Sequence, residues 1–545
     1  MFLRKFLLLG IVIIFAFAMA GCNRGGGIAV PPSKKLENGG NLLYGSLQEP
    51  NTLNPLLSDL IASQEVGNLI FSGLVLQTDK GEWVADLAAD VPSRENGEVS
   101  PDGRSITYKL RPGVTWHDGV PFSSADVKFT WQLIMNSKVD VVSREGYNKI
   151  SSIDTPDANT VVVHYSEYYP PFLSLFRTIL PKHILEKEAD INKAAFNRAP
   201  IGTGPFKIKE WRMAEELIFE ANPAYFRGKP LLNTITYKII NESSLILTQL
   251  KTGEVDVVSN IPFNLYEQVK AINGVKTLIT PNMVWEHLDF NLDNILFQDV
   301  KVRQAIMYGI DRQAIVNSIL KGVASPAAGD QSPLSWAYNP ALGVPARDVQ
   351  TARNLLTEAG WQIGPDGIFA KDGRKLAFSL VIPSGNRIRE IIAQTIVQQL
   401  KEAGIGVEVK LVAPEVFFNQ VLKNRQFEMA MYAWVGSADP DNINLWHSKN
   451  IPGAGNGYQG QNYPGWRNTT VDKLVEQGIR SFNIEERKQI YFSVQQQIID
   501  DVPVIPLYFR ANIDVVRDGV VNYKPNPSIS SNTWNAWEWG LMTRK

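Results

Sequence analysis

LAFSLVI at residues 376–382, RIREIIAQTIVQQLKEA at 387–403, VEVKL at 407–411 and FEMAMYAW at 427–434 follow one another with only short turn-forming stretches between them. Leu376 to Ile382 is an apolar run of strand length. In the next segment Ile388, Ile391, Ile392, Ile396 and Leu400 recur at helical spacing, and Gly404 supplies a stop. Val407, Val409 and Leu411 alternate as on a second strand, Val416 to Leu422 returns to a helical pattern, and Phe427 to Trp434 gives a third strand. The order is β-α-β-α-β, which right-handed crossovers fold into a parallel sheet. Ligands on such sheets lie beyond the carboxyl ends of the strands. The loop leaving the third strand, Val435-Gly436-Ser437-Ala438-Asp439-Pro440-Asp441-Asn442, is therefore expected to form part of a ligand wall.

Working outward, Ser105 to Leu110 alternates like a half-buried strand after the turn Pro101-Asp102-Gly103, and Val161 to Tyr165 is a β-branched strand. Ser123 is placed to cap a helix carrying Val127, Trp131, Leu133 and Ile134. Asp348 caps another that runs through Leu355 and Leu356 and stops at Gly360, and Asn483 a third, over 485–499. Val502 to Tyr508, interrupted by Pro503 and Pro506, reads as an edge strand or a crossing segment. Gly453 to Gly460 contains G-x-G-x-x-G, but it follows no strand and opens no helix, so it reads as a surface loop.

The 545 residues imply two to four domains. Charged residues are 20% and hydrophobic residues 44%, a globular balance. Lys plus Arg number 54 against 55 Asp plus Glu, so the basic excess that nucleic-acid binding needs is missing. A single cysteine excludes a disulfide within the chain and a thiolate metal cluster. That cysteine is Cys22. Arg4 and Lys5 precede an apolar stretch from Phe6 to Ala18, too short to span a bilayer but of signal-peptide length. Met19-Ala20-Gly21-Cys22 resembles the lipobox of bacterial lipoproteins, which implies lipidation of Cys22 after removal of residues 1–21. Residues 22–35, rich in Gly and Pro, read as a flexible tether.

Catalytic chemistry finds little support. His117, His164, His183, His287 and His447 are scattered, with no pair at metal-ligand spacing on one helix. Neither a G-x-S-x-G elbow nor a G-x-x-x-x-G-K phosphate loop occurs. Trp116-His117-Asp118-Gly119 reads as turn and cap chemistry, and Val302-Arg303-Gln304-Ala305-Ile306 as a helix stripe with Arg303 in a structural ion pair. No cofactor or metal is expected.

Several blocks, in one order along the chain, carry a resemblance. They are Asn51-Thr52-Leu53-Asn54-Pro55, Phe71-Ser72-Gly73-Leu74, Leu110-Arg111-Pro112-Gly113-Val114 continuing through Trp116-His117-Asp118-Gly119-Val120-Pro121-Phe122, and Gly202-Thr203-Gly204-Pro205-Phe206. Further on come Val302 to Ile306 with Asp311-Arg312, and Pro503-Val504-Ile505-Pro506-Leu507-Tyr508. The chain resembles the extracytoplasmic solute-binding proteins of peptide and nickel ABC importers, family 5, of the oligopeptide-binding lipoprotein type. The resemblance implies an α/β, two-lobed, periplasmic-binding-protein type II-like fold with an additional inserted α+β domain. Lobe I would comprise 36–71, 200–292 and 506–545, the inserted domain 72–199 and lobe II 293–505. It further implies a monomer that does no chemistry and is lipid-anchored at the outer face of the cell membrane. Oligopeptides would be taken up between hinged lobes and delivered to an ABC permease and ATPase complex.

A free peptide carries an ammonium group that needs a carboxylate when buried. In peptide-binding relatives that acid lies three positions after the tryptophan matching Trp434, where this chain has Ser437. Asp439 could take the ammonium from a shifted position. Alternatively the terminus is not gripped, or Asp439-Pro440-Asp441 only shapes the loop. The ligand-wall candidates are thus Trp434, Ser437, Asp439, Asp441 and Asn442, with Trp446 and Trp285 as pocket aromatics whose competing role is core packing. The 13 tryptophans keep a saccharide-binding variant of the fold in view; nickel chelates and a tethered hydrolase stand behind it.

Overall fold

The computed structural model of the chain describes residues 36, 39–436, 439–528 and 530–542. Its central sheet contains β1 (Asn41–Ser46), β2 (Phe206–Arg212), β3 (Glu216–Ala221), β4 (Thr234–Ile239), β5 (Val257–Val258), β6 (Val275–Phe290), β7 (Ala377–Pro383), β8 (Gly406–Val412), β9 (Met429–Val435) and β10 (Val504–Arg517). They lie in the order β8-β7-β9-β6-β10-β5-β1-β4-β3-β2, with the short strand Ser325–Pro326 also paired to β10. Strands β7, β8 and β9 are mutually parallel, as the 376–441 pattern predicts. The first crossover is the helix Arg387–Glu402, capped by Asn386 Oδ1 on Arg389 N at 3.1 Å. Ile392, Ile396 and Leu400 are fully buried against the sheet, each stabilising by about 1.5–3 kcal/mol. Ile391 instead faces outward and is 37% exposed. The second crossover is a short helix, Pro414–Val416, that widens into a π-type turn over Phe417–Leu422.

Strands β6 and β10 are the spine, paired antiparallel from Val275↔Arg517 to Asp289↔Val504. Of the two readings of 502–508, the edge strand is therefore overturned. Pro503 precedes β10, and Pro506, which has no N–H to give, falls where the ladder shifts register between Glu286 and His287. Its carbonyl accepts from Arg312 Nη1 at 3.2 Å. On β6, Glu286 is fully buried and accepts from Arg389 (2.9 Å) and Arg510 (3.0 Å). Burial alone would raise its pKa, but the two guanidinium groups hold it below the ordinary carboxylate range.

Residues 74–179 build a core of their own. A three-stranded sheet (Ser105–Lys109, Ile150–Asp157, Thr160–Tyr165) packs with the helix Ser124–Met135, whose capping box pairs Ser123 with Asp126. The turn at 116–119 is structural: His117 Nε2 donates to Gly204 O (3.0 Å) and its Nδ1 accepts from Gly202 N (3.2 Å), tying two of the sequence blocks together. Burial pushes His117 down to about 4, leaving it neutral.

Arg303 corrects one expectation. Rather than an ion pair, it donates to main-chain carbonyls of Phe297 (2.6 Å), Asp501 (2.9 Å) and Val502 (3.0 Å). The helix Ile484–Asp501 ends there on Val502 in the left-handed region (φ 46°), which leaves terminal carbonyls to be satisfied.

Candidate functional site

The carboxyl end of β9 opens onto a groove. Its inner compartment, about 170 Å³, lies among Gln77–Asp79, Met283 of β6, Trp336, Val435–Gly436 and Asn526–Ser528. A middle compartment of about 460 Å³ shares Gly81, Leu334 and Trp336 with it and extends to Trp83, Phe172 and Arg487. An outer one of about 980 Å³ shares Tyr168, Phe172, Phe482 and Ile484 with the middle and continues between Ser93–Glu95 and Gln477–Glu486. Neighbouring compartments share lining residues, so the three lie side by side as a trough between chain segments that meet only through the fold, and the middle and outer volumes fall in the range of a small-ligand site.

Buried polar links fix the walls. Gly436 N donates to Met283 O at 2.8 Å, holding the start of the 435–442 loop against β6. Asn526 Nδ2 reaches Gln77 O (2.8 Å), Asn526 N donates to Asn532 Oδ1 (2.8 Å), and Asn532 Nδ2 reaches Asp514 on β10 (3.2 Å). Burial, with Glu65 adding to it, pushes Asp514 up to about 7. Glu65 itself accepts from the hydroxyls of Tyr44 (2.7 Å), Tyr237 (2.7 Å) and Ser259 (3.1 Å).

The sequence candidates divide. Asp439 lines the middle compartment, where both its oxygens are taken by Arg487, at 2.8 and 2.6 Å. Burial works against the Arg487 charge, yet the Asp439 carboxylate holds its pKa above the ordinary value. Asp441 is exposed and caps Ile443 N at 3.1 Å. Asn442 is buried and donates to Asp330, which also accepts from Trp446 Nε1 at 2.9 Å. Trp446 and Trp285 are 3% and 2% exposed and share one core cluster, Trp285 stacking on His287 at 4.2 Å. Trp434 is half-buried, with its ring parallel to that of Tyr463 at 6.0 Å. Ser437 and Cys22 lie outside the described residues.

Sequence reasoning missed Arg487, Trp336, Trp83, Tyr168, Phe172 and Phe482 as groove residues. The available signal was modest: an aromatic and proline cluster at Tyr168-Tyr169-Pro170-Pro171-Phe172, in no strand or helix pattern. Among the described residues no three His, Cys, Asp or Glu are grouped to hold a metal, and no helix is long and apolar enough to cross a membrane.

The family described as bacterial extracellular solute-binding proteins, family 5 Middle, has a sequence model that matches residues 82–455. The chain belongs to that family. The oligopeptide-binding protein AppA of Bacillus subtilis (strain 168) is 32% identical over 545 residues, 97% of each chain. A solved structure of B. subtilis AppA, in complex with a nonapeptide, is 30% identical with a TM-score of 0.65, covering 93% of this chain and 100% of that one. NikZ from Campylobacter jejuni, in complex with Ni(L-His), is 28% identical with a TM-score of 0.68, over 92% and 99%. As a family 5 solute-binding protein the chain has the two-lobed α/β fold, with β6 and β10 at the centre of its sheet. The family match ends at 455, short of Phe482, Arg487 and the 526–528 wall.

Proposed function

We propose that this protein captures oligopeptides in the groove and delivers them unchanged to an ABC permease and ATPase complex. The observation that carries this reading is the set of three adjoining compartments that starts at the carboxyl end of β9 and, through shared lining residues, reaches Phe482 and Arg94. The peptide-bound state of its relative AppA supports it. With lobes at 36–71 plus 200–292 and 506–545, and at 293–505, and with 72–199 inserted, the inner compartment would lie where all three meet, and the middle and outer ones between the insertion and the second lobe. The crossing strands would then act as the hinge. Diacylation of Cys22, with residues 22–35 as tether, would keep the monomer at the outer face of the membrane, since more than one chain gives durable anchoring. Ligand contacts would come from Trp434 at the end of β9 and from the 435–442 loop, including Ser437 and Asp441. The ammonium of a peptide would meet Asp439 only by competing with Arg487.

Incubation with a defined peptide mixture, calorimetry, and mass spectrometry of what is retained test the reading. Retained peptides of unchanged mass are expected; retention of none, or of cleaved products, overturns it.

A further inference from the structure

The middle compartment differs in chemistry from its neighbours. Five large aromatic side chains, Trp83, Tyr168, Phe172, Trp336 and Phe482, stand around about 460 Å³, together with Pro170, Pro171 and Pro333. None of the five is fully buried; Phe172 packs partly against the neighbouring core, while Trp83, Tyr168 and Trp336 are half-buried and line the space. Two of them are braced from behind. The Arg487 guanidinium lies 5.0 Å over the Trp336 ring, and Tyr491 meets the same ring edge-on at 5.8 Å. Phe482 is held between Tyr168, at 4.0 Å, and the Arg94 guanidinium, also at 4.0 Å. The walls are thus positioned before any ligand arrives, which lowers the ordering cost of binding.

The charges around this space do not suit a charged guest. Arg487 and Asp439 neutralise each other in a bidentate pair, their side chains 5% and 12% exposed. Lys80 and Glu82, the other charged lining residues, are exposed to solvent on the rim. A charged side chain entering would lose water and find only the solvent-screened Lys80 or Glu82 at the rim, whereas a flat apolar one gains contact with the aromatic walls. We propose that the middle compartment is a selective subsite for one large apolar side chain, aromatic by preference, of a bound peptide. This rests on the peptide reading above and adds a specificity to it.

The test is calorimetry on the full chain with an alanine hexapeptide series in which each position in turn carries Phe, Trp, Leu, Lys or Glu. At one position Phe or Trp should bind about 10- to 100-fold more tightly than Ala, the factor expected for burying one such side chain, and Lys or Glu should not. Trp336→Ala should reduce the aromatic-to-alanine ratio at that position to within about threefold, and Trp83→Ala should lower it in the same direction. Because the readout is a ratio of affinities, a variant that is partly unfolded still reports it, and a second variant guards against outright loss of fold. Peptides bound without any positional aromatic preference, a preference for Lys or Glu, or a preference unchanged in both variants would each overturn the subsite while leaving the peptide reading intact. Absence of binding by every peptide, with cello-oligosaccharides bound instead, would overturn both.

Discussion

Asp514 joins the spine to the ligand groove through hydrogen bonds that a sequence does not display. It lies on β10, fully buried, and accepts from Asn260 N (2.8 Å), Tyr523 Oη (3.1 Å) and Asn532 Nδ2 (3.2 Å). The ionisable groups that its burial brings close are Glu65, Tyr44 and Tyr523. Its folded-state pKa is about 7, against about 3.9 in an unfolded chain. Between those values the native state keeps a proton that the unfolded state has lost. The stabilisation is therefore full below about pH 4 and disappears as pH rises through about 7. The melting temperature should fall between pH 5 and 8, by an amount reflecting a few kcal/mol, roughly, and Asp514→Asn should flatten that slope while lowering stability overall. Parallel slopes for the two proteins would contradict this. The same opacity affected Asp439. Its position in a ligand-wall loop was legible from the β-α-β-α-β pattern, but Arg487 lies 48 residues further on and no periodicity relates them.

Strands and helices were legible where hydrophobic period and caps agree. The 376–441 unit, the Ser123, Asp348 and Asn483 caps, and the loop character of 453–460 all follow from spacing and turn chemistry. Strand β10 was half-legible, because Pro503 just before it and Pro506 within it hide a fourteen-residue strand whose ladder with β6 takes up its irregularities at two register shifts. Contacts between elements were not legible at all, as the connection between the helices Thr469–Gly478 and Ile484–Asp501 shows. Its Phe482 packs over Gly103, which sits at φ +68° in the turn that the sequence did predict. A Cβ there would collide with Phe482 Cε1 and lie 2.6 Å from Tyr168 Cδ2. Gly103→Ala should cost about 1–2 kcal/mol for the left-handed backbone alone, plus the clash, and should weaken peptide binding by prising this contact open. Chemical denaturation and calorimetry check it. Adding Phe482→Ala should return part of the lost stability, since the collision is removed; a double variant less stable than the sum of the two singles would contradict the contact.

The groove itself is assembled from stretches near 80, 170, 335, 436, 485 and 527, around a single sheet with β6 and β10 at its centre. The family blocks made the architecture recognisable, because turns and caps of a shared fold recur in order. The ligand walls were not recognisable, since a binding surface needs shape and not a fixed spacing. Asp439, the acid of the 435–442 loop that lines the middle compartment, is already paired with Arg487, so affinity for peptides should come chiefly from the enclosing walls and the peptide main chain. A crystal structure of the full chain grown with a defined nonapeptide tests this most directly. The account predicts an intact, extended peptide running along Gln77–Trp83, Trp336 and Val435–Gly436, with one large side chain beside Trp336. An empty trough filled by the protein's own side chains, or peptide density elsewhere on the surface, would contradict it.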